Sequence, residues 1–366
     1  MSGSGNATAR GSSPRRRGRV AVSRIGGFVR ADDWWDHKIL PLVAVYAATA
    51  LVLRAPVRAI WSAGLELAAA LALLAAFAAL VNDLCDVEDD RRGGKPNLMS
   101  LHPRPWVLAG LAASLAGGAV FAWLWRHAAL LDVAYVSAWL AFAAYSLPPL
   151  RLKARGGWGV VAIGLGEAAL PSLVAVALCG RAAGTAPGHG WAAAVGLWSF
   201  CHGTRAILWH QLRDRAADAR AAVATFVRRR GAGVAARIAG RAVFPLEIAA
   251  LAATLAMIPS VLPWIALGAY LGVTWLRVRR LSLVPVIVRP VPRHVLLLQD
   301  YYVYYLPPAI VAATAVAAAA GGDKAGALLP FVWLAPFPRP MLRLAGGLAR
   351  WARRAELAPG RRTSAP

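Results

Sequence analysis

The stretch NDLCDVEDD, residues 82–90, and its counterpart HQLRDRAAD, residues 210–218, decide the fold class of this chain. Each stretch follows a long apolar run, and the two share a ladder of polar side chains at four-residue spacing. The ladder is Asn82, Asp86 and Asp90 in the first stretch and His210, Asp214 and Asp218 in the second. On a helix this spacing places the side chains on one face. Acids are scarce, with 17 Asp and Glu against 41 Lys and Arg, so two matching ladders at the ends of apolar runs indicate a divalent-cation site.

The composition is that of an integral membrane protein. Of the 366 residues, 58% are hydrophobic, and the mean hydropathy is +0.52, which is far too apolar for a soluble domain of this size. About nine apolar stretches are long enough to cross a hydrocarbon core of about 30 Å as a helix. The predicted spans are 38–54, 59–81, 106–125, 128–147, 158–178, 190–209, 238–258, 261–276 and 298–320. We therefore predict an all-α integral membrane bundle of about nine transmembrane helices.

The net charge of +24 is explained by membrane topology and gives no reason to expect a nucleic-acid partner. The basic residues lie in loops between apolar spans rather than on one face of a soluble domain. The N-terminal region and the loops after the second, fourth, sixth and eighth spans are the basic ones. By the positive-inside rule these segments lie on the cytoplasmic side of the cell membrane. Both acidic stretches then lie on that same side of a multi-pass protein.

The chain divides into three parts. Residues 1–30 are rich in Gly, Ser and Arg and are predicted to be a disordered basic tail, and residues 31–320 form the membrane domain. In the remainder, 321–366, a short apolar segment at 326–338 is interrupted by prolines, so it is predicted to be re-entrant or interfacial. After it we expect either an interfacial amphipathic helix or a disordered basic tail. A basic C-terminus fits an odd number of crossings badly.

The two acidic stretches suggest how a phosphorylated lipid is bound. Asp83, Asp86 and Asp90 fall on one helical face and Asp214 and Asp218 on another, so the two faces together can hold Mg²⁺. This ion favours a few carboxylates together with water and a substrate's phosphate oxygens. Basic residues that suit the remaining phosphate charge lie in the neighbouring loops. They are Lys95, Arg151, Lys153 and Arg213. Acids and bases together describe a diphosphate site, and a membrane-embedded wall points to a prenyl diphosphate as the lipid.

Three motifs together resemble those of the UbiA superfamily of intramembrane prenyltransferases. The first is Asn82-Asp83-x-x-Asp86-x-x-x-Asp90, and the second is Tyr145-Ser146-x-Pro148-Pro149-x-Arg151-x-Lys153. The third is Arg213-Asp214-x-x-x-Asp218, followed by Thr225. All three occur in the family's order, and the resemblance covers roughly residues 30–320. Members of the superfamily are nine-helix bundles in which the motif loops cap a central cavity, so this resemblance implies a cavity that opens to the cytoplasmic side.

The resemblance also implies Mg²⁺-dependent transfer of a prenyl chain from its diphosphate to an acceptor of unknown identity in the lipid bilayer. Asp83, Asp86, Asp90, Asp214 and Asp218 are the implied metal ligands, and all of them except Asp83 are also expected to be catalytic together with Lys153. The diphosphate is expected to contact Asn82, Lys95, Tyr145, Ser146, Arg151, Lys153, His210 and Arg213. Charge that develops on the leaving diphosphate in a low-dielectric pocket makes electrostatic stabilisation the main catalytic effect.

Several alternatives stay open at this point. The chain has His210-Gln211 where many members have Asn or Asp, and Ala222 where glycine is common, which leaves the acceptor class undecided. His210 suits either a base or a hydrogen-bond partner of Asp214. Tyrosines at 301–305 are expected to be interface anchors. A UbiA-type terpene cyclase would use the same ionisation, and a transporter is the other membrane protein class with intramembrane acids.

Overall fold

The computed structural model describes residues 27–95, 97, 99 and 102–342, which form a bundle of long helices. In chain order the helices are α1 (Ala31–Leu53), α2 (Val57–Cys85), α3 (Val87–Gly93), α4 (Arg104–Trp125), α5 (Ala129–Ser146), α6 (Gly157–Ala183), α7 (His189–Arg213), α8 (Arg215–Arg220), α9 (Phe226–Arg230), α10 (Ala232–Met257), α11 (Leu262–Leu281), α12 (Tyr301–Ala320) and α13 (Leu329–Val332). Each of the nine predicted spans overlaps one of the long helices among them. Two three-residue strands, β1 (Val284–Val286) and β2 (His294–Leu296), pair in parallel between α11 and α12 and were not predicted.

The long helices fit a membrane environment. Seven of those in the described part of the chain are long and apolar enough to cross a membrane. The two long helices outside this set are more polar, because α7 carries three histidines and Arg205, and α11 ends in three arginines. Large apolar side chains such as Leu130, at 74% exposure, lie on the outside of the bundle, as lipid-facing residues do. The prediction of an α-helical membrane bundle is confirmed, and nine crossings stay a prediction.

Four of the long helices contain a π-helical turn, and a proline stands two residues after each turn. The turns are 35–39 in α1, 164–169 in α6, 239–243 in α10 and 301–305 in α12, and the prolines are Pro41, Pro171, Pro245 and Pro307. Proline lacks the N–H of a regular helical hydrogen bond, and its ring crowds the carbonyl four residues earlier. A π-turn accommodates this by widening the helix by one residue. The sequence thus places one local irregularity in the first half of four different helices.

The segment after α12 runs back along α1. At one end Asp323 forms an ion pair with Arg58 at the start of α2. Further on, Trp333 packs against Tyr46 in the middle of α1, with ring centroids 5.5 Å apart. At the other end Phe337 stacks on Trp35 in the first turns of α1. The predicted re-entrant segment at 326–338 therefore returns along the length of α1, a helix of roughly 34 Å.

The predicted tails lie mostly outside the described residues. Of the tail 1–30, residues 1–26 lie outside the described residues, and the last few pack against the bundle, where Trp34 donates a hydrogen bond to the Val29 carbonyl at 2.8 Å. The predicted amphipathic helix or basic tail lies almost entirely beyond residue 342, outside the described residues.

A fully buried ion pair joins α7 to α10 inside the bundle. Arg205 contacts Glu247 through two hydrogen bonds of 2.6 and 2.7 Å, and the two side chains are 1% and 0% exposed. Tyr302 in α12 donates a hydrogen bond to Glu247 at 2.9 Å. Tyr301 and Tyr302 are both buried in the core, and the prediction that these two anchor the chain at the membrane interface is wrong. For Tyr302, the hydrogen bond to the buried Glu247 carboxylate outweighs the usual interfacial preference of tyrosine. Tyr301 donates its hydrogen bond to the Pro263 carbonyl at 3.0 Å.

Candidate active site

The two acidic stretches have the same local structure. Helix α2 ends just before Asp86 and α7 just before Asp214, and both aspartates have the non-helical backbone of a break, with φ and ψ of −105° and 5° and of −89° and 5°. A short helix follows in each case, α3 after Asp86 and α8 after Asp214. The prediction of one continuous helical face through each stretch is therefore wrong, because both helices break at the middle aspartate of the ladder.

The equivalence extends beyond the short helices. Gly94 follows α3 with a φ of 69°, and Ala222, which occupies the corresponding position, has a φ of 57°. Both values lie in the left-handed region that glycine adopts readily and alanine does not. The chain thus needs this backbone conformation at the end of each acidic stretch. This requirement explains why glycine is common at the position that Ala222 fills here.

The first acidic stretch is held by cations from the loop between α5 and α6. Lys153 forms an ion pair with Oδ1 of Asp86. Arg151 contacts the same oxygen at 3.3 Å and Asp89 Oδ2 at 2.6 Å. From the other side, Arg30, which precedes α1, lies 2.9 Å from Asp83 Oδ1. Residues from three parts of the chain therefore converge on one cluster of carboxylates.

Neighbouring polar groups complete this first cluster. Asn97 donates hydrogen bonds to Oδ2 of Asp90 at 2.7 Å and to the backbone carbonyl of Asp83 at 2.9 Å. Ser146 and Lys153 both lie 3.4 Å from Oδ1 of Asn82. Asn82 and Ser146 thus lie beside Lys153.

The second acidic stretch pairs with a lysine that lies just beyond the end of the first stretch. Lys95, which follows α3, lies 3.0 Å from Asp214 Oδ2 and 3.2 Å from Asp218 Oδ1. Arg213 contacts Asp214 Oδ1 at 3.1 Å, and its guanidinium lies over the ring of Trp209 at 4.7 Å from the ring centroid. Arg220 at the end of α8 donates a hydrogen bond to the Gly93 carbonyl at 2.8 Å. These contacts close the two stretches against each other.

Burial and the neighbouring cations shift the pKa values of these carboxylates in opposite directions. Burial raises the pKa of Asp90 and that of Asp218. Burial also raises the pKa of Asp214, but the hydrogen bonds from Lys95 and Arg213 outweigh it and lower that pKa overall. Burial lowers the pKa of Lys95, and its contacts with Asp214 and Asp218 reverse this effect and raise the pKa. Lys95 therefore stays charged between the two stretches.

A cavity of about 710 Å³ lies beneath the two acidic stretches. Its deeper walls are apolar and come from α1, α2, α5, α6 and α7. They include Leu42, Leu71, Leu74, Phe142, Ile163, Pro171 and Ile207. The volume lies within the range of sites that bind small organic molecules. A charged rim over an apolar interior suits a ligand with a polar head and an apolar tail.

The cavity brings together nearly all of the predicted site residues. It is lined by Asn82, Asp83, Asp86, Asp90, Lys95, Tyr145, Ser146, Lys153, His210, Arg213, Asp214 and Asp218. Arg151 is not among the lining residues and reaches the site only through Asp86 and Asp89. The hydrogen bond between His210 and Asp214 runs between backbone groups, at 2.9 Å from Asp214 N to His210 O. The side chain of His210 packs instead against Trp209, with ring centroids 5.0 Å apart.

Sequence reasoning missed five charged residues that line the cavity, namely Arg30, Asp33, Lys38, Asp89 and Glu167. Lys38 and Glu167 form an ion pair between α1 and α6. Both lie within predicted spans, and an ionisable residue inside an apolar span is by default a functional candidate. That rule was available from the sequence and identifies both members of the pair. Arg30 gives no comparable signal, because it is one of many arginines near the N-terminus.

The donor atoms at the rim suit a hard divalent cation. They are carboxylate oxygens, which Mg²⁺ prefers. Among the described residues, no three His, Cys, Asp or Glu side chains are already close enough to enclose an ion. Cations contact several of the carboxylates instead. Lys95 contacts Asp214 and Asp218, and both Arg151 and Lys153 contact Oδ1 of Asp86. The residues fit a cation that is bound jointly by protein and substrate oxygens.

Comparison with known proteins gives the fold. No protein-family model and no curated protein matches the chain. A structure of a UbiA homolog from Archaeoglobus fulgidus bound to DMAPP and Mg²⁺ is similar, with a TM-score of 0.53 and 16% identity over 84% of this chain and 97% of that chain. A second structure of a UbiA homolog from that organism, bound to GPP and Mg²⁺, has a TM-score of 0.51 and 16% identity over 84% and 98%. The chain therefore has the fold of the UbiA homologs, as its three motifs predict.

Proposed function

We propose that this chain is a UbiA-superfamily enzyme that transfers a prenyl chain from a prenyl diphosphate to an acceptor, with Mg²⁺ as cofactor. One observation carries the proposal: two acidic stretches from distant parts of the chain close together over a cavity with apolar walls. The prenyl diphosphates bound by the UbiA homologs of similar fold support the same donor class. The charged rim takes the diphosphate, and the apolar interior takes the isoprenoid chain.

The carboxylates at the rim are the proposed metal ligands. They are Asp83, Asp86, Asp90, Asp214 and Asp218. When bound there, Mg²⁺ supplies positive charge that offsets the charge of the diphosphate and of its leaving form. Asp86 and Asp214 hold corresponding positions at the two helix breaks, so we assign them matching roles.

The cations at the rim are the proposed diphosphate ligands. Lys153 and Lys95 each lie against carboxylates, and a diphosphate offers them oxygens of higher charge. Arg213 contributes a further cation at the rim, and Arg151 acts through its contacts with Asp86 and Asp89. Asn82, Ser146, Tyr145 and His210 line the same region and complete the polar surroundings.

The chemistry follows from this division between rim and interior. The bond between C1 of the prenyl chain and the diphosphate oxygen breaks, and its electron pair stays on the diphosphate. Lysine side chains stabilise that charge in a low-dielectric site where hydrogen bonds and ion pairs are strong. C1 then accepts an electron pair from the acceptor, and the acceptor gives up the proton at its reacting atom to the released diphosphate. Apolar walls such as Leu71, Leu74 and Phe142 keep water away from the cation.

Diphosphate release from the purified protein in nanodiscs tests the proposal. A panel of prenyl diphosphates is supplied with and without Mg²⁺, and lipid extracts are analysed by mass spectrometry. We expect Mg²⁺-dependent release that disappears in Asp86→Ala and persists in the control Asp323→Ala, which removes an acid near the opposite end of α1. The product mass separates transfer from cyclisation. Absence of release with every donor, even with a cell extract as the acceptor source, contradicts the proposal and favours a binding or transport protein.

We also propose that the cavity opens toward the cytoplasm of a cell membrane. The basic loops beside the site support this orientation by the positive-inside rule. The return of the chain along α1 supports this orientation too. Arg339 forms an ion pair with Asp32 at the start of α1, so a further basic residue lies on the same side as the site. Single cysteines introduced near residues 30 and 340 are then expected to react with a membrane-impermeant reagent only when it has access to the cytoplasmic side. Labelling of either cysteine by reagent added outside intact cells contradicts the orientation.

A further inference from the structure

The Lys38–Glu167 ion pair lies on the cavity wall outside the two acidic stretches. Arg30 reaches the rim at Asp83, and Lys38 lies eight residues further along the chain, or roughly 12 Å along a helix. Glu167 lies on α6, well inside the span that begins at Gly157. Both residues belong to the π-helical turns of their helices, and such turns are frequent at functional sites. The pair therefore adds charge to a wall that also carries apolar residues one turn away on the same helices, Leu42 and Ile163.

The exposure of its side chains distinguishes this pair from the fully buried Arg205–Glu247 pair. Arg205 and Glu247 are 1% and 0% exposed, and they satisfy each other through two hydrogen bonds. Lys38 and Glu167 are 40% and 25% exposed, and both line the cavity. A pair that only fastens two helices needs no access to a cavity. The Lys38–Glu167 pair presents its remaining donors and acceptors to whatever occupies the interior.

The chemistry of the pair selects the kind of group that it can bind. A ligand carboxylate would accept from Lys38 but be repelled by Glu167, and a ligand ammonium would meet the reverse conflict. A hydroxyl group both donates and accepts hydrogen bonds. It can donate to Glu167 and accept from Lys38 without disturbing the charge balance of the pair. A neutral hydroxyl is thus the group that suits both partners.

We propose that Lys38 and Glu167 bind the hydroxyl group of the acceptor and exclude acceptors that present a carboxylate at that position. This inference rests on the proposed function, whose acceptor it narrows to a hydroxyl-bearing molecule. Because a neutral analogue that lacks the hydroxyl leaves both charged groups without their added partner, the site discriminates strongly against it.

Equilibrium dialysis of the full-length protein in nanodiscs tests the inference with three probes: 2-naphthol, 2-methoxynaphthalene and 2-naphthoate. We expect the wild type to bind 2-naphthol at least about tenfold more tightly than either of the others. The double variant Lys38→Met/Glu167→Met is expected to lose this preference. The matched control Arg58→Met/Asp323→Met removes an ion pair near the opposite end of α1 and is expected to keep it. Glu167→Gln, which preserves side-chain size, is expected to bind 2-naphthol about tenfold more weakly than the wild type. This variant replaces the double variant as the test if the double variant does not fold.

A preference that is unchanged in the Lys38 and Glu167 variants overturns the inference, and so does a wild type that binds 2-naphthoate most tightly. The two proposals fail separately. Mg²⁺-dependent diphosphate release without a hydroxyl preference overturns only the acceptor assignment. A hydroxyl preference without diphosphate release overturns only the prenyl-transfer assignment.

Discussion

The two acidic stretches share one local structure but differ in how their charges are satisfied. Each has a helix break at an aspartate, a short helix and then a left-handed residue, Gly94 in the first and Ala222 in the second. The first stretch pairs with Lys153 from a separate loop, whereas the second pairs with Lys95, which lies just beyond the end of the first stretch. Local sequence repeats the backbone geometry. Only the arrangement of the helices decides which cation each stretch receives.

The largest expected effect tests whether the two helix breaks are functionally equivalent. Asp86→Ala and Asp214→Ala each remove a proposed metal ligand and are expected to lower diphosphate release at least about a thousandfold, since a bound metal contributes several kcal/mol to transition-state stabilisation. Release assays at saturating donor measure this, and circular dichroism checks that the helices remain. Full activity in either variant would show that the two stretches do not act together.

Substitution of the two lysines distinguishes their roles. Lys153 is 7% exposed and Lys95 is 34% exposed, so solvent screens the second more. We expect Lys153→Ala to lower kcat/KM for the donor about a hundredfold and Lys95→Ala about tenfold. Lys153→Arg and Lys95→Arg, which keep the charge, are the matched controls. The proposed difference is wrong if Lys95→Ala is the more damaging change.

The smallest expected effect concerns the left-handed residues. Ala222→Gly relieves an unfavourable backbone conformation and is expected to stabilise the protein by about 1 kcal/mol, while Gly94→Ala destabilises it by a similar amount. Thermal unfolding in detergent measures both changes. Shifts of the same sign would contradict the structural equivalence of the two positions. Gly233→Ala, at a helical glycine whose added Cβ meets nothing within 4 Å, controls for the general effect of the substitution.

The sequence alone predicted the helical spans and most of the candidate site. Long apolar runs indicate spanning helices because a lipid environment requires internal backbone hydrogen bonding. Carboxylates are scarce in this sequence, and two matching stretches hold several of them. This indicated the site, because a charged side chain at a membrane is costly and usually marks a functional position. Sequence periodicity did not reveal the breaks at Asp86 and Asp214, since a four-residue spacing fits both a continuous helix and two helices that meet at an aspartate.

Tertiary structure decided which distant residues meet. Lys38 and Glu167 are 129 residues apart in the chain, and their pairing depends on how α1 and α6 pack rather than on any local pattern. The same holds for the return of the C-terminal segment along α1, and for Tyr302, which lies 55 residues from its partner Glu247. Sequence by itself determined the helices and the chemistry that they carry, because both arise from neighbouring residues. Packing of the whole bundle determined the cavity, because its walls come from five helices that no local interaction brings together.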